Sequence, residues 1–377
     1  MTQPLTILHI TNTDWHFVKH VLPAVRLQLE AGHHVHGAFN MTDPAVMDLL
    51  RRAGVTYHPL PFHRSSIAPW QLLREWLATA RLIRRLKPDM VRTSTWKPLT
   101  AVGVARQFAP GFNACYAIPG LGYMFLNHTA KALVARRSVN ALLIRIARRS
   151  RTRFEVLNGD DRRWLAELIG NRAPIDLLPG LGVDTDHFTA LPLPPAPPYI
   201  FVLAARLLWD KGVREFVEAA RQLRAENAPV RLVLAGPFDP GNPRGINQRE
   251  IDQWLQEGVV EYWGNAEDIR TVWAKAHVCV LPSYREGLSM ALIEAAACAR
   301  AIICSDVSGC RETIRENQSG LLVPIGDAGA LTDAIRSYAE KPELLLSHGE
   351  AGRHRIATRY GIGIVQQMFL NRAEQFA

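Results

Sequence analysis

The chain has 377 residues, 48% hydrophobic and 21% charged, with a formal net charge of +9. That length exceeds one ordinary core and predicts two domains, while the composition excludes a disordered or fibrous chain. No run of about 18 consecutive apolar residues is there to span a bilayer, and the opening MTQPLTILHITNTDW lacks the basic, apolar and small-residue succession of a signal peptide, so a cytoplasmic protein is expected.

In chain order, short aliphatic or β-branched runs alternate with amphipathic helical stretches. The first half carries ILHIT, HVHGAF, DMVRTS, ACYAI and FEVLN; the second carries YIFVLAA, RLVLAG, VVEYWG, VCVLP and AIICSD. This alternation predicts an α/β chain of two doubly wound, parallel-sheet domains covered by helices. LPLPPAPPYI at 191–200 holds five prolines, which continue neither a helix nor a central strand. The linker is therefore placed at 186–198, between an N-terminal domain of 1–185 and a C-terminal domain of 199–356. Two such domains put the carboxyl ends of both sheets on either side of one cleft, a geometry that suits a two-substrate transferase. Dehydrogenases share that geometry, but the first βα turn, ITNTDWHF at 10–17, lacks the glycine series of a dinucleotide fingerprint.

Cys115, Cys279, Cys298, Cys304 and Cys310 form no CxxC pair and sit mostly in apolar surroundings, so they read as small core residues. Charge is uneven: residues 1–185 hold 24 Lys+Arg and 12 Asp+Glu, whereas 186–377 hold 20 and 23. The N-terminal half then faces something anionic, either nucleic acid or a membrane with acidic and pyrophosphate headgroups. Nucleic acid ranks low, because interleaved base-stacking aromatics and known binding motifs are missing.

The chemistry concentrates in YREGLSMALIEAAACA, residues 284–299. Glu294 lies in an otherwise apolar helix, where an ionised carboxylate costs several kcal/mol unless something binds it. Glu286 stands eight residues earlier, in a strand-to-helix loop. Gly287, Leu288 and Ser289 follow it and present backbone N–H groups at the positive end of a helix dipole, a setting suited to a diphosphate. The plain alternative is a structural ion pair for Glu294 and a solvated Glu286. Against it stand Arg206 and Lys211, after the first strand of the second domain and well placed to neutralise a leaving diphosphate.

Arg206 and Lys211, the Gly236–Pro237 pair, VEYWGNAEDI at 260–269 and the E-x7-E pair Glu286 and Glu294 resemble glycosyltransferase family 4 in order and spacing. WDKGVREF, LPSYREG and CSDVSGCRETI, with DWHF and PGLGYMF nearer the start, are similar to its bacterial members that extend undecaprenyl-diphosphate-linked oligosaccharides, such as N-acetylgalactosaminyltransferases. The resemblance implies a GT-B fold of two Rossmann-like domains, with a C-terminal helix at about 357–377 packing back on the first. It implies retaining transfer of a sugar, an N-acetylhexosamine by likeness, from a UDP-sugar to a lipid-diphosphate-linked saccharide.

Position by position, it implies that Arg206 and Lys211 grip the diphosphate. Backbone at Gly287, Leu288 and Ser289 would hold phosphate and sugar, Glu294 the ribose hydroxyls, and Glu286 the transferred sugar. Gly236, Pro237 and Asn265 would lie near uracil. No protein nucleophile, metal or cofactor is implied, and the sequence has no DxD in a suitable strand–loop context. One departure is Pro119 with Gly120, where many members have a histidine at the sugar. His16, beside Asp14, is the candidate substitute, with Tyr123 also on the acceptor side; a solvated loop histidine is the alternative.

Residues 131–153 place eight Lys/Arg among aliphatic residues at helical spacing. Such a helix, with Arg136, Arg137, Arg148 and Arg149, can lie on an anionic leaflet, or can be an ordinary helix with a solvated cationic face. With the lipid-linked acceptor that the resemblance implies, peripheral binding to the inner membrane is expected. Two alternatives stay open: a GT-B nucleotide-sugar 2-epimerase, and a non-catalytic membrane-surface binding protein.

Overall fold

The computed structural model describes residues 3–63, 68–109, 111–118, 120, 130–180, 182–239 and 241–375. The chain divides into two compact units, Met1–Gly182 with Ile362–Ala377, and Val183–Gly361.

The first unit is a seven-stranded parallel sheet of order β3-β2-β1-β4-β5-β6-β7. Its strands are β1 (Thr6–Thr13), β2 (His34–Asn40), β3 (Thr56–Pro59), β4 (Met90–Ser94), β5 (Asn113–Ile118), β6 (Thr152–Val156) and β7 (Ile175–Leu177). The helices between them are α1 (Asp14–His20), α2 (Arg26–Glu30), α3 (Val46–Ala53), α4 (Pro69–Leu86), α5 (Trp96–Ala105), α6 (Ala130–Ala147) and α7 (Gly159–Ile169).

Right-handed crossovers sort these helices. α4 to α7 share one core with the sheet through Leu82, Leu99, Leu143 and Leu165. α1, the 3-10 turn before α2, and α3 cover the other face through Phe17, Val25 and Leu50. Strands buried on both faces explain why their sequences read as nearly unbroken apolar runs.

The second unit is a six-stranded parallel sheet of order β10-β9-β8-β11-β12-β13. It comprises β8 (Tyr199–Ala204), β9 (Val230–Ala235), β10 (Glu261–Tyr262), β11 (Val278–Leu281), β12 (Ala301–Ser305) and β13 (Leu321–Val323). Its helices are α8 (Val213–Ala225), α9 (Gln248–Glu257), α10 (Arg270–Trp273), α11 (Met290–Ala297), α12 (Ser308–Arg311), α13 (Ala328–Glu340) and α14 (Glu343–Tyr360). Alternate residues of β8 serve opposite cores, Phe201 and Leu203 towards α8 and α13, Ile200 and Val202 towards α11. All five cysteines are buried and free.

Three strands were missed by sequence reading: β3, β7 and β13, all at sheet edges. They run for only three or four residues and are at most partly buried over most of that length, so their apolar pattern is weak. The proline stretch at 191–200 is also no free linker. Arg300, wholly buried, donates to the carbonyls of Leu191 at 2.5 Å and Pro192 at 2.8 Å, and His277 Nε2 lies 3.0 Å from the Pro194 carbonyl. Prolines lack an N–H, but the carbonyls of the stretch still accept, and they fasten it to the second unit.

A last helix, α15 (Ile362–Glu374), belongs to the first unit and packs beside α1 and α2. Gln28 Nε2 donates to the Phe369 carbonyl at 3.0 Å, the Arg92 guanidinium sits 4.3 Å from the Phe369 ring centre, and Arg372 pairs with Asp176. Beneath it, Arg92 meets Glu155 at 2.8 Å in a buried ion pair. His9 lies 3.1 Å from Gln28 in the same layer, its pKa lowered to about 3 by burial first and the Arg92 charge second, against a raising bond from Gln28.

An unfolded His9 binds a proton near pH 6.5 and the folded one does not, so its contribution is complete above about 6.5 and is lost as pH falls towards about 3. His9→Gln should therefore flatten the decline of Tm between about pH 7 and about pH 4 in calorimetry. An unchanged slope would remove His9 from the account.

Candidate active site

Ligands of open parallel sheets bind beyond the carboxyl ends of the strands, where the strand order reverses. In the second unit the reversal falls between β8 and β11. The loops after these two strands carry Lys211 and Glu286.

The loop after β8 is held by buried Leu207 and Leu208 and makes a 3-10 turn, Trp209–Lys211. Gly212 then turns the chain into α8 at φ +75°, and an added Cβ would collide with the Pro282 carbonyl beneath it. Lys211 Nζ donates to Glu286 Oε1 at 2.5 Å, with side chains 21% and 10% exposed. A charge-assisted bond in this sheltered setting is less screened by solvent than a surface ion pair. The Asp210 carbonyl accepts the Ser283 hydroxyl and the Tyr284 N–H, both at 3.0 Å, so the two loops are stitched along their backbones as well.

After Glu286 the chain passes Gly287 and Leu288 to Ser289, whose hydroxyl caps α11 by accepting the Leu292 N–H at 3.4 Å. Gly309, at the start of α12, packs on the carbonyl of Glu286 with no room for a Cβ. Sequence reasoning expected Glu294 to be buried, and the structure corrects this. Met290, Ala291 and Glu294 form one partly accessible stripe of α11, while Leu292, Ile293 and Ala295 to Ala297 are buried. A spacing of three to four residues per turn sends the carboxylate to the open side of an apolar helix.

The remaining loops lie on the β9 side. Arg206 is exposed and donates to Asp239 at 2.9 Å. Gly236, at φ +139°, fits directly against the Ala205 carbonyl, and its N–H donates to the Gly264 carbonyl at 2.7 Å. The Pro237 carbonyl accepts the Leu207 N–H at 3.0 Å, and exposed Asn265 follows Gly264. Thus Arg206, Lys211, Gly236, Pro237, Asn265, Glu286 and 287–289 share one sheet edge, with Glu294 on the helix leading from it. Sequence reading missed a third cation there: Arg244 pairs with Asp210 at 2.7 Å, beside Lys211. It also missed Tyr284, whose hydroxyl donates to Glu215 at 2.7 Å. Neither has a short-range signal, because each partner is more than thirty residues away in sequence.

The first unit has its own reversal, between β1 and β4. Asp14 is buried there, and its carboxylate accepts from the Thr42 hydroxyl and the N–H groups of Trp15, Thr42 and Asp43 at 2.5 to 2.7 Å. Burial, the largest influence, raises its pKa, but these four bonds outweigh it and the net shift is downward. Asp14 therefore positions the loops rather than facing a ligand. His16 is partly exposed and stacks edge-on to His20, ring centres 4.5 Å apart. Burial and then the Arg92 charge lower its pKa to about 4, so it is a neutral imidazole near pH 7.

At the ends of the same two strands, Asn12 Oδ1 and the hydroxyls of Thr93 and Thr95 are buried with no hydrogen-bond partner among the described residues. Pro119 and Tyr123 lie outside the described residues; Gly120 accepts the Trp96 indole N–H at 3.0 Å. Arg136, Arg137, Arg148 and Arg149 lie on or just after α6. Among the described residues, no group of three His, Cys, Asp or Glu is placed to hold a metal ion.

Comparison with known proteins bears on this geometry. Residues 198–341 match the family described as Glycosyl transferases group 1. The matched segment lies within the second unit, Val183–Gly361. The chain is 26% identical over 85% of its length to N,N'-diacetylbacillosaminyl-diphospho-undecaprenol alpha-1,3-N-acetylgalactosaminyltransferase of Campylobacter jejuni, covering 86% of that protein. It is also 26% identical over 92% of its length to the putative glycosyltransferase EpsD of Bacillus subtilis, covering 91% of it.

Among solved structures it resembles sucrose-phosphate synthase of Thermosynechococcus elongatus, with a TM-score of 0.80 at 20% identity over 98% of both chains. It also resembles Anabaena Alr3699/HepE in complex with UDP, with a TM-score of 0.78 at 14% identity over 98% of this chain and 100% of that one. The fold is GT-B.

The close backbone approaches at this candidate site make a test. Gly236→Ala should destabilise the chain by about 2–4 kcal/mol in urea unfolding, since it combines a strained φ with a backbone collision. Gly241→Ala, where an added Cβ meets nothing within 4 Å, should cost no more than about 0.5 kcal/mol. Equal effects would contradict the packing described.

Proposed function

We propose that the protein is a retaining glycosyltransferase that moves an N-acetylhexosamine from a UDP-sugar to an undecaprenyl-diphosphate-linked saccharide, working peripherally on the inner membrane. The observation that carries this reading is the Lys211–Glu286 pair at the strand-order reversal, with Arg206 beside it and Glu294 on the helix that follows. The name of the Campylobacter relative, which specifies an undecaprenol-diphosphate acceptor and an N-acetylgalactosamine donor group, supports the substrate class, as does UDP in the Anabaena neighbour.

In this reading Lys211 and Arg206 draw charge from the diphosphate as the bond from the sugar's anomeric carbon to the β-phosphate oxygen breaks. The N-terminal turn of α11 adds its dipole. Glu286 accepts from hydroxyls of the sugar while holding the Lys211 ammonium at the phosphate. Glu294 accepts from two ribose hydroxyls, as only an ionised carboxylate does. The acceptor hydroxyl attacks from the face the diphosphate leaves, and its proton passes to the departing phosphate oxygen. No protein nucleophile, metal or cofactor enters. Neutral His16, with Asn12, Thr93 and Thr95 at the reversal of the first sheet, supplies hydrogen bonds to the acceptor saccharide. The arginines of α6, Arg136 and Arg137, with Arg148 and Arg149 just beyond it, meet anionic lipid headgroups.

A donor screen for UDP release with an undecaprenyl-diphosphate-sugar acceptor tests the reaction. UDP-N-acetylhexosamines should turn over only when the acceptor is present; release without it, or epimerised donor, would point to the 2-epimerase. Glu294→Ala should weaken UDP-sugar binding at least about tenfold by calorimetry, and Glu286→Ala should lower kcat more than it weakens UDP binding. Full activity in both variants would refute the site. Sedimentation with phosphatidylglycerol vesicles should be lost on charge reversal at Arg136, Arg137, Arg148 and Arg149, and retention would sink the headgroup role of α6.

A further inference from the structure

The exposed face of α4 has no role in the reading above. Trp70, Leu73 and Leu77 are 68%, 53% and 46% exposed, and their spacing of three and four residues sets them in one stripe. Single exposed apolar residues are ordinary, but a stripe of three on one helix is not. The other exposed positions on that face are Arg74, Arg81, Arg84 and Arg85, all of one sign. The helix has one acid, Glu75, which is buried and accepts from Lys97 at 3.3 Å and the His63 N–H at 3.1 Å.

This face continues into α6. Both helices pack on α5, on one side of the first sheet. Where α5 ends, the Phe108 ring is 63% exposed and its carbonyl accepts from Arg84 at 3.2 Å. The neighbouring Gln107 accepts from Arg145 at 3.2 Å and Arg149 at 2.6 Å. The chain carries no Asp or Glu between Asp89 and Glu155, so the α5–α6 part of this surface has no anion in its own sequence.

Helices that cross between parallel strands run opposite to them. The apolar residues at the start of α4, and exposed Val134 near the start of α6, therefore lie towards the carboxyl edge of the sheet, and the arginines that close each helix lie towards the amino edge.

We propose that the outer face of α4, together with Phe108, is a second contact surface for an anionic lipid bilayer, with Trp70, Leu73 and Leu77 entering the headgroup boundary and the arginines pairing with lipid phosphates. Charge complementarity selects this occupant: an apolar stripe flanked only by arginine matches an interface that is greasy below and anionic above. A tryptophan whose apolar ring carries one N–H suits that depth. With the outer face of α4 engaged, and its apolar start towards the carboxyl edge, the first unit rests with that edge, which bears His16, Asn12 and Thr95, nearest the hydrocarbon. A lipid-borne saccharide is presented there. This inference rests on the membrane reading made above but not on the headgroup role of α6.

The full chain is floated with vesicles of phosphatidylglycerol and phosphatidylethanolamine, and with phosphatidylcholine vesicles as reference. The wild type should partition to the anionic vesicles. The triple variants Trp70→Ser/Leu73→Ser/Leu77→Ser and Arg74→Glu/Arg81→Glu/Arg85→Glu should each lose at least about tenfold of that partition. UDP affinity should be unchanged in both, which excludes misfolding. Tryptophan quenching by brominated lipid should also weaken in Trp70→Phe, a change too small to unfold the chain.

Wild-type partition in both α4 variants, with loss only on charge reversal in α6, overturns this inference and leaves the membrane reading standing. No partition by the wild type overturns both. Concentration-dependent self-association without vesicle binding, abolished by the serine variant, would assign the stripe to a second copy of the chain and overturn the lipid proposal.

Discussion

One ion pair organises the candidate donor site. Lys211 and Glu286 come from loops on opposite sides of the point where the strand order of the second sheet reverses, so the bond between them spans the gap that this topology opens. Loops over such a gap would drift apart unless tied together. The Asp210 carbonyl, Gly212 against Pro282 and Gly309 against Glu286 are further ties at the same place. The ammonium that would meet a phosphate is thereby fixed before any substrate arrives, and electrostatic stabilisation needs this preorganisation.

The two sheets reverse in the same way and arm their reversals differently. In the second unit the edge carries charge: Arg206, Lys211 and Arg244, each beside a carboxylate. In the first it carries neutral imidazoles and hydroxyls, because burial and the Arg92 charge hold His16 unprotonated and Asp14 is spent on the loop at Thr42. A charged edge suits a diphosphate, and a neutral hydrogen-bonding one suits sugar hydroxyls.

Much of this was legible in the residue order. Arg206 and Lys211 follow an apolar strand, Glu286 precedes a capped helix and Glu294 lies on it, so local patterning singled them out. Glu294 shows the limit. A carboxylate in MALIEAAACA looked buried because composition counts neighbours in sequence, whereas the helix rotates it to the accessible stripe beside Met290 and Ala291. Arg244 with Asp210, and Tyr284 with Glu215, were invisible because their partners meet only through the sheet. The proline stretch looked like a free tether, since no pattern in it announces the buried Arg300 that holds its carbonyls.

The sequence by itself determined the alternation of strands and helices, the charge imbalance between halves and the choice of residues for the candidate donor site. These follow from periodicity and from which side chains bind phosphate, both local properties. The tertiary structure decided which faces of those elements are used. PWQLLREWLATARLIRRL reads as an ordinary amphipathic helix, and only packing on α5 shows that Leu82 and Ile83 enter the core while Trp70, Leu73 and Leu77 stay outside. Burial is a property of the assembled layers, and a helix with leucines on several sides does not state in its own sequence which of them will be covered.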